Sequence, residues 1–151
     1  MLETLRARAR DARGFTLIEL LVVVLVIGVL AAIAIPSFLG QSLKAKDASA
    51  KSNVKRLSSM VEECKVQSPD ADYAMCNSDP ELGGTPGLDW GTAANQVGMI
   101  GGSADTYIAY AVSEAKTGAG NHVFYLVKAD GITYRLCIPA GSGACPTGNY
   151  W

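Results

Sequence analysis

From Phe15 to Leu39 the chain reads FTLIELLVVVLVIGVLAAIAIPSFL, 25 residues in which Glu19 is the one ionisable side chain. As a helix this run is about 37 Å long at 1.5 Å per residue, enough to cross a hydrocarbon core of about 30 Å. The rest of the 151 residues leaves room for one modest domain, because a single core needs on the order of 100 to 150 residues. Much of the 49% hydrophobic content is concentrated in this run, so the remainder has an ordinary globular composition.

Charge divides the chain in the same place. The first 14 residues carry four Arg against Glu3 and Asp11, leaving nine basic and twelve acidic residues in the body. A mildly acidic body lacks the basic face that supplies most non-specific affinity for nucleic acid. Nucleic acid is therefore not indicated as a partner, although local contacts by Lys44, Lys46, Lys51, Lys55 and Arg56 remain open. A solvated helix face is the simpler use for those side chains.

Three fates of the apolar run compete. A secretory signal peptide has a basic start, an apolar core and a small-residue site, here Ala32-Ile33-Ala34, and predicts a mature start at Ile35. Against it, Glu19 places an acid inside the apolar core, where a charge is costly, and the helical pattern continues past Ala34. A permanent single-span anchor predicts no cut at all. Its orientation is poorly set, because four Arg precede the span while Lys44, Lys46 and Lys51 follow it.

The third fate accounts for what the others leave odd. A short basic leader ending in Gly14, then FTLIE and an unbroken apolar helix, resembles the class III signal of the type IV pilin family. The resemblance covers RGFTLIELLVVVLVIGVLAAIAIPSF, about a sixth of the chain. It implies that a prepilin peptidase cuts between Gly14 and Phe15 and that the new Phe15 amine is methylated. Gly14 suits a close approach of the scissile backbone to a protease. Glu19 lies one helical turn from Phe15, where the positive end of the helix dipole favours an acid. The resemblance further implies that Glu19 pairs with the Phe15 amine of a neighbouring copy, an interaction that gives specificity more than stability. Pro36 interrupts the hydrogen-bond ladder and, with Gly28 and Gly40, marks an expected bend.

Beyond Pro36 the pattern becomes amphipathic, with Ala50, Val54, Leu57, Val61 and Cys64 on one face. The helix is predicted to end near Lys65, before Ser68-Pro69. Residues 66–105 read as an irregular connection rich in Gly, Pro, Ser, Asp and Asn, with room for a brief element over Ala93 to Met99. Three strands are predicted at Thr106 to Ser113, Asn121 to Lys128 and Ile132 to Ile138, the last two joined by an Asp130-Gly131 type I′ turn. The predicted fold is therefore α+β: a long N-terminal helix, apolar half protruding, packed on a small antiparallel sheet and followed by a tail from Pro139 to Trp151. Its segments are a leader (1–14), an apolar half-helix (15–39), an amphipathic half (40–65), a connection (66–105) and a sheet with its tail (106–151).

Cys64, Cys76, Cys137 and Cys145 lie outside the apolar run in a chain that reads as exported, so the even count suggests two disulfides. Of three connectivities, proximity favours Cys64 with Cys76 and Cys137 with Cys145. No close-paired C-x-x-C supports zinc. Asp70, Asp72, Asp79 and Glu81 are the weak calcium candidates, without the spacing of an EF-hand loop. The single His122 sits in a strand-like run with no nucleophile motif around it and reads as structural. P-loop, G-x-S-x-G, H-E-x-x-H and Rossmann patterns are absent, so neither an enzyme nor a cofactor is expected.

The resemblance implies a structural subunit of a type IV pilus, serving adhesion, motility or DNA uptake. Before assembly it would be a single-pass cytoplasmic membrane protein in the lipid bilayer; afterwards it would be part of an extracellular helical homo-oligomer. Its partners would be the prepilin peptidase and an ATPase-driven assembly platform. The nearest alternative is a pseudopilin of a type II secretion or competence system, and the next is a secreted binding domain cut after Ala34.

Overall fold

The computed structural model describes residues 14–151. Apart from Gly14, the leader and its four arginines lie outside the described residues.

One helix, α1, runs from Leu17 to Gln67, 51 residues with Pro36 inside it. The fold divides into two units after Phe38. Among the described residues, the large apolar side chains from Phe15 to Phe38 are 48% to 88% exposed.

The second unit, Leu39–Trp151, buries what the amphipathic spacing predicts. Ala50, Val54, Leu57 and Val61 are buried on α1, joined by Asp47 one turn earlier. Steps of three and four residues keep these side chains on one face. Each fully buried Val or Leu contributes about 1.5–3 kcal/mol relative to exposure. The helix ends where Ser68 N–H donates to the carbonyls of Cys64 and Lys65 (2.9 and 3.2 Å), and Pro69 follows.

A five-stranded sheet in the order β1-β2-β3-β4-β5 supplies the opposing surface. Its strands are β1 (Asp89–Trp90), β2 (Gln96–Ser103), β3 (Thr106–Thr117), β4 (Gly120–Ala129) and β5 (Ile132–Ile138). β2 through β5 pair antiparallel, while β1 runs parallel to β2. The register sets Ala111 opposite Val97 and Phe124, and Phe124 opposite Cys137. Because side chains alternate between faces along a strand, Val97, Tyr107, Ala109, Ala111, Phe124, Leu126 and Cys137 form one core with the helix stripe. Asp130 and Gly131 both take positive φ, 51° and 77°, as a type I′ turn between β4 and β5 requires.

β2 overlaps the brief helix or strand expected over Ala93 to Met99 but runs on to Ser103, and β1 was not expected. The stretch read as an irregular connection contains a 3₁₀ turn at Tyr73–Met75 as well as β1 and β2. β2 reads QVGMIGGS, and its glycines mask a strand whose inner face is carried by Val97 and Met99. At Gly98 a Cβ would meet the Tyr110 ring folded over it, so a side chain there would displace that ring.

Disulfides join Cys64 to Cys76 and Cys137 to Cys145, with Cα atoms 6.0 and 5.7 Å apart. The first ties the end of α1 to the 3₁₀ turn. The second closes a loop after β5, beside which Trp151 donates its indole N–H to the Leu136 carbonyl (2.8 Å) and meets Phe124 edge-on.

Candidate functional site

The start of α1 is built as a capping box. Thr16 precedes the first helical residue, and its hydroxyl accepts the Glu19 N–H (3.3 Å). In return, the Glu19 carboxylate oxygen Oε2 accepts the Thr16 N–H (2.8 Å) and hydroxyl (2.7 Å). This T-x-x-E reciprocity satisfies helix-end donors that otherwise lack partners. The signal is present in the sequence as Thr16-Leu17-Ile18-Glu19. Glu19 thus has local work at the helix end beside any role toward a neighbour.

Gly14 and Phe15 lie in exposed chain without regular secondary structure just before this cap. A Cβ at Gly14, Gly28 or Gly40 would meet nothing within 4 Å. Among the described residues no contact therefore demands glycine at these positions.

The acids of the 68–88 region have turn duties. The Asp72 carboxylate accepts the Ala74 N–H (2.7 Å), Glu81 accepts the Asn77 N–H (2.8 Å), and Asp79 accepts the Thr85 hydroxyl. They do not converge with Asp70: among the described residues no three His, Cys, Asp or Glu side chains come together as a metal site.

His122 is fully buried, and so is Asp47. His122 Nδ1 lies 2.8 and 2.9 Å from the two Asp47 oxygens, and Nε2 lies 2.8 Å from Ser142 Oγ. Asp47 also accepts the Ala144 N–H (2.8 Å), while Lys51 Nζ donates to the Ala144 carbonyl (2.8 Å). The order Asp, His, Ser is that of a proton relay, but here it fastens the Cys137–Cys145 loop to α1. Asp47 escaped sequence reading because its burial depends on residues 75 to 97 positions away.

A second polar cluster fastens the far end of the helix. Glu62 accepts hydrogen bonds from Tyr73 (2.7 Å), Tyr107 (3.1 Å) and Lys128 (2.8 Å). Burial alone would raise the Glu62 carboxyl, but these three donors outweigh it and hold the group below its usual range. Burial, reinforced by the Glu62 charge and opposed by a hydrogen bond with Ser58, pushes the Tyr107 phenol from 10.0 up to about 12.

Comparisons with known proteins converge on pilins and a related secretion-system protein. A family model described as the prokaryotic N-terminal methylation motif matches residues 9–35. The type IV major pilin protein PilA of Myxococcus xanthus is 58% identical over 45 residues, covering 30% of this chain and 20% of that protein. The type IV narrow pilus major component PilA5 of Thermus thermophilus is 36% identical over 100 residues, 64% of this chain and 84% of the relative. Type II secretion system core protein G of Dickeya chrysanthemi is 39% identical over 57 residues, 38% of this chain and 37% of that protein. The match therefore spans most of the Thermus relative and only a minor part of the other two. No solved structure matches the chain.

Proposed function

The chain belongs to the type IV pilin family and is a structural subunit rather than an enzyme, and from that premise we propose how it is processed and assembled. A prepilin peptidase cuts between Gly14 and Phe15, and the freed Phe15 amine is methylated. The apolar half of α1 holds the subunit in the cytoplasmic membrane as a single pass. An ATPase-driven platform then draws it into an extracellular pilus, where the helices of identical copies bundle together.

The observation that carries this reading is the exposure of the large apolar side chains of the half-helix among the described residues. Side chains of this kind, uncovered over about seven turns, are stable only in lipid or against one another. The Glu19 oxygen Oε1, opposite the one engaged by Thr16, is where a neighbour's Phe15 amine binds. In lipid such a pair neutralises both charges, and its geometry fixes the register of one helix against the next. Pro36, which cannot donate into the ladder, is the weak point at which α1 yields on assembly.

Glu19→Gln tests the pairing cleanly, because Gln also serves at the third position of a capping box and only the charge is removed. Processed Glu19→Gln subunits should accumulate in the membrane and be lost from sheared pili. Normal piliation by this variant contradicts the pairing.

The resemblance to core protein G favours one second reading, a pseudopilin of a secretion apparatus. Deleting the gene separates the two readings. Loss of filaments composed of this chain supports the pilin, whereas loss of protein secretion with no such filaments in the parent supports the pseudopilin.

A further inference from the structure

Along the head's stretch of α1 and the loop that follows, charge is segregated by position. From Lys44 to Arg56 stand four lysines and one arginine against Asp47, which is buried and committed to His122 and Ala144. From Glu62 to Glu81 stand six acids against Lys65, which is itself paired with Asp105 (3.0 Å). Along this stretch the residues up to Arg56 are basic and those from Glu62 onward are mainly acidic.

The acidic end has a cavity of about 370 Å³ lined by Met60, Glu63, Cys64, Ser68, Met75 and Glu81. It lies at the carboxyl end of α1, where the helix dipole favours a cation. Ser68 Oγ is buried without a hydrogen-bond partner. Lys128 is taken by Glu62, so among the described residues neither Glu63 nor Glu81 has an ion-pair partner. Lys44 and Lys46, both exposed, have none either. Two methionines offer flexible apolar surface for a methylene stem, and the carboxylates can receive the ammonium at its end.

We propose that this cavity receives Lys44 or Lys46 of a second copy of the chain, displaced by about 28 Å along the helix axis, the length of 19 residues at 1.5 Å each. The proposal rests on the pilus reading and adds a second register to it, since pairing of Glu19 with Phe15 sets neighbours at the N-terminal end alone. A contact between unlike ends is heterologous, and because each copy is also displaced along the axis, repetition extends it into an open filament rather than a ring. Parallel packing of the N-terminal helices holds the heads at high effective concentration, and weakly stabilising surface pairs then select register and orientation.

The test is zero-length carbodiimide coupling of purified pili, read by peptide mass spectrometry. This reagent joins only an amine and a carboxylate already in contact. Lys44 and Glu63 of one chain stand about 28 Å apart along α1, so a bond between them can arise only across copies. The expected result is coupling of Lys44 or Lys46 to Glu63 or Glu81, lost in E63Q/E81Q pili. Reversal of one end, E63K/E81K, should reduce piliation, and adding K44E/K46E should restore it. Wild-type pili that couple only through other pairs, or a double reversal that fails to restore them, overturn the contact and leave the pilus reading standing. Failure of the wild-type chain to form pili overturns both.

Discussion

Residues 17–38 and 39–67 of α1 continue one helix, yet their apolar side chains meet opposite conditions. In the first stretch leucines, isoleucines and valines surround the axis, and none of them is buried among the described residues. In the second, apolar residues narrow to a stripe, and Val54, Leu57 and Val61 are completely buried beneath the sheet. A helix that is apolar all round needs partners on every side, whereas an amphipathic helix needs one surface. The contrast shows where each half finds its stability: the second half within its own chain, the first outside it.

Changes that act on the outside partner should have the largest effects on assembly and the smallest on the head. Gly14→Val places a branched side chain at the proposed cut. Immunoblotting should find only unprocessed chain and electron microscopy no pili; pili of normal number would separate assembly from this cut. Phe124→Ala reverses the pattern by opening the head's core. It should lower the unfolding free energy by about 3–5 kcal/mol, measured by denaturant titration of the full chain in detergent. Leu25→Ala, in the exposed half, should shift the same transition by less than about 0.5 kcal/mol. Equal shifts for Phe124→Ala and Leu25→Ala would erase the distinction between the halves.

Asp47→Ala leaves His122 and the Ala144 N–H without their buried acceptor, which costs about 2–3 kcal/mol in the same titration. Its effect should extend to the Cys137–Cys145 loop, seen as faster amide exchange at Ala144. A subtler change follows from Tyr107, whose phenol is raised from 10.0 to about 12 in the folded head. A raised value means that folding favours the protonated form. The contribution is therefore complete below pH about 10 and is lost as pH rises through about 12. Thermal melts across this range should fall for the parent chain and fall less for Tyr107→Phe.

The two halves were also unequally legible. The apolar run carries its meaning residue by residue, so its helix, its length and its likeness to pilins follow from Arg13 to Phe38 alone. Ala50, Val54, Leu57 and Val61 could be placed in the core because helical spacing is a local property. β3, β4 and β5 announced themselves through alternating aromatic and β-branched residues and the Asp130-Gly131 turn. β2 was legible only as a brief element, because Gly98 and Gly102 interrupt that alternation where Tyr110 and the 3₁₀ turn approach closely. Asp47 was opaque for a different reason. An acid on a helix beside several lysines reads as solvated, and only the folded chain brings His122 and Ala144 onto it. The capping box was legible in Thr16-x-x-Glu19, and the prospect of a partner in another copy obscured the partner three residues away.

The account's central claim is that the uncovered half of α1 survives into the mature protein as an assembly element. The most direct measurement is the N-terminal sequence and mass of the subunit recovered from sheared surface filaments. The account predicts a chain beginning at Phe15 with a methylated amine. A chain beginning at Ile35, with the apolar run discarded, or at Met1, with the leader retained, would contradict it.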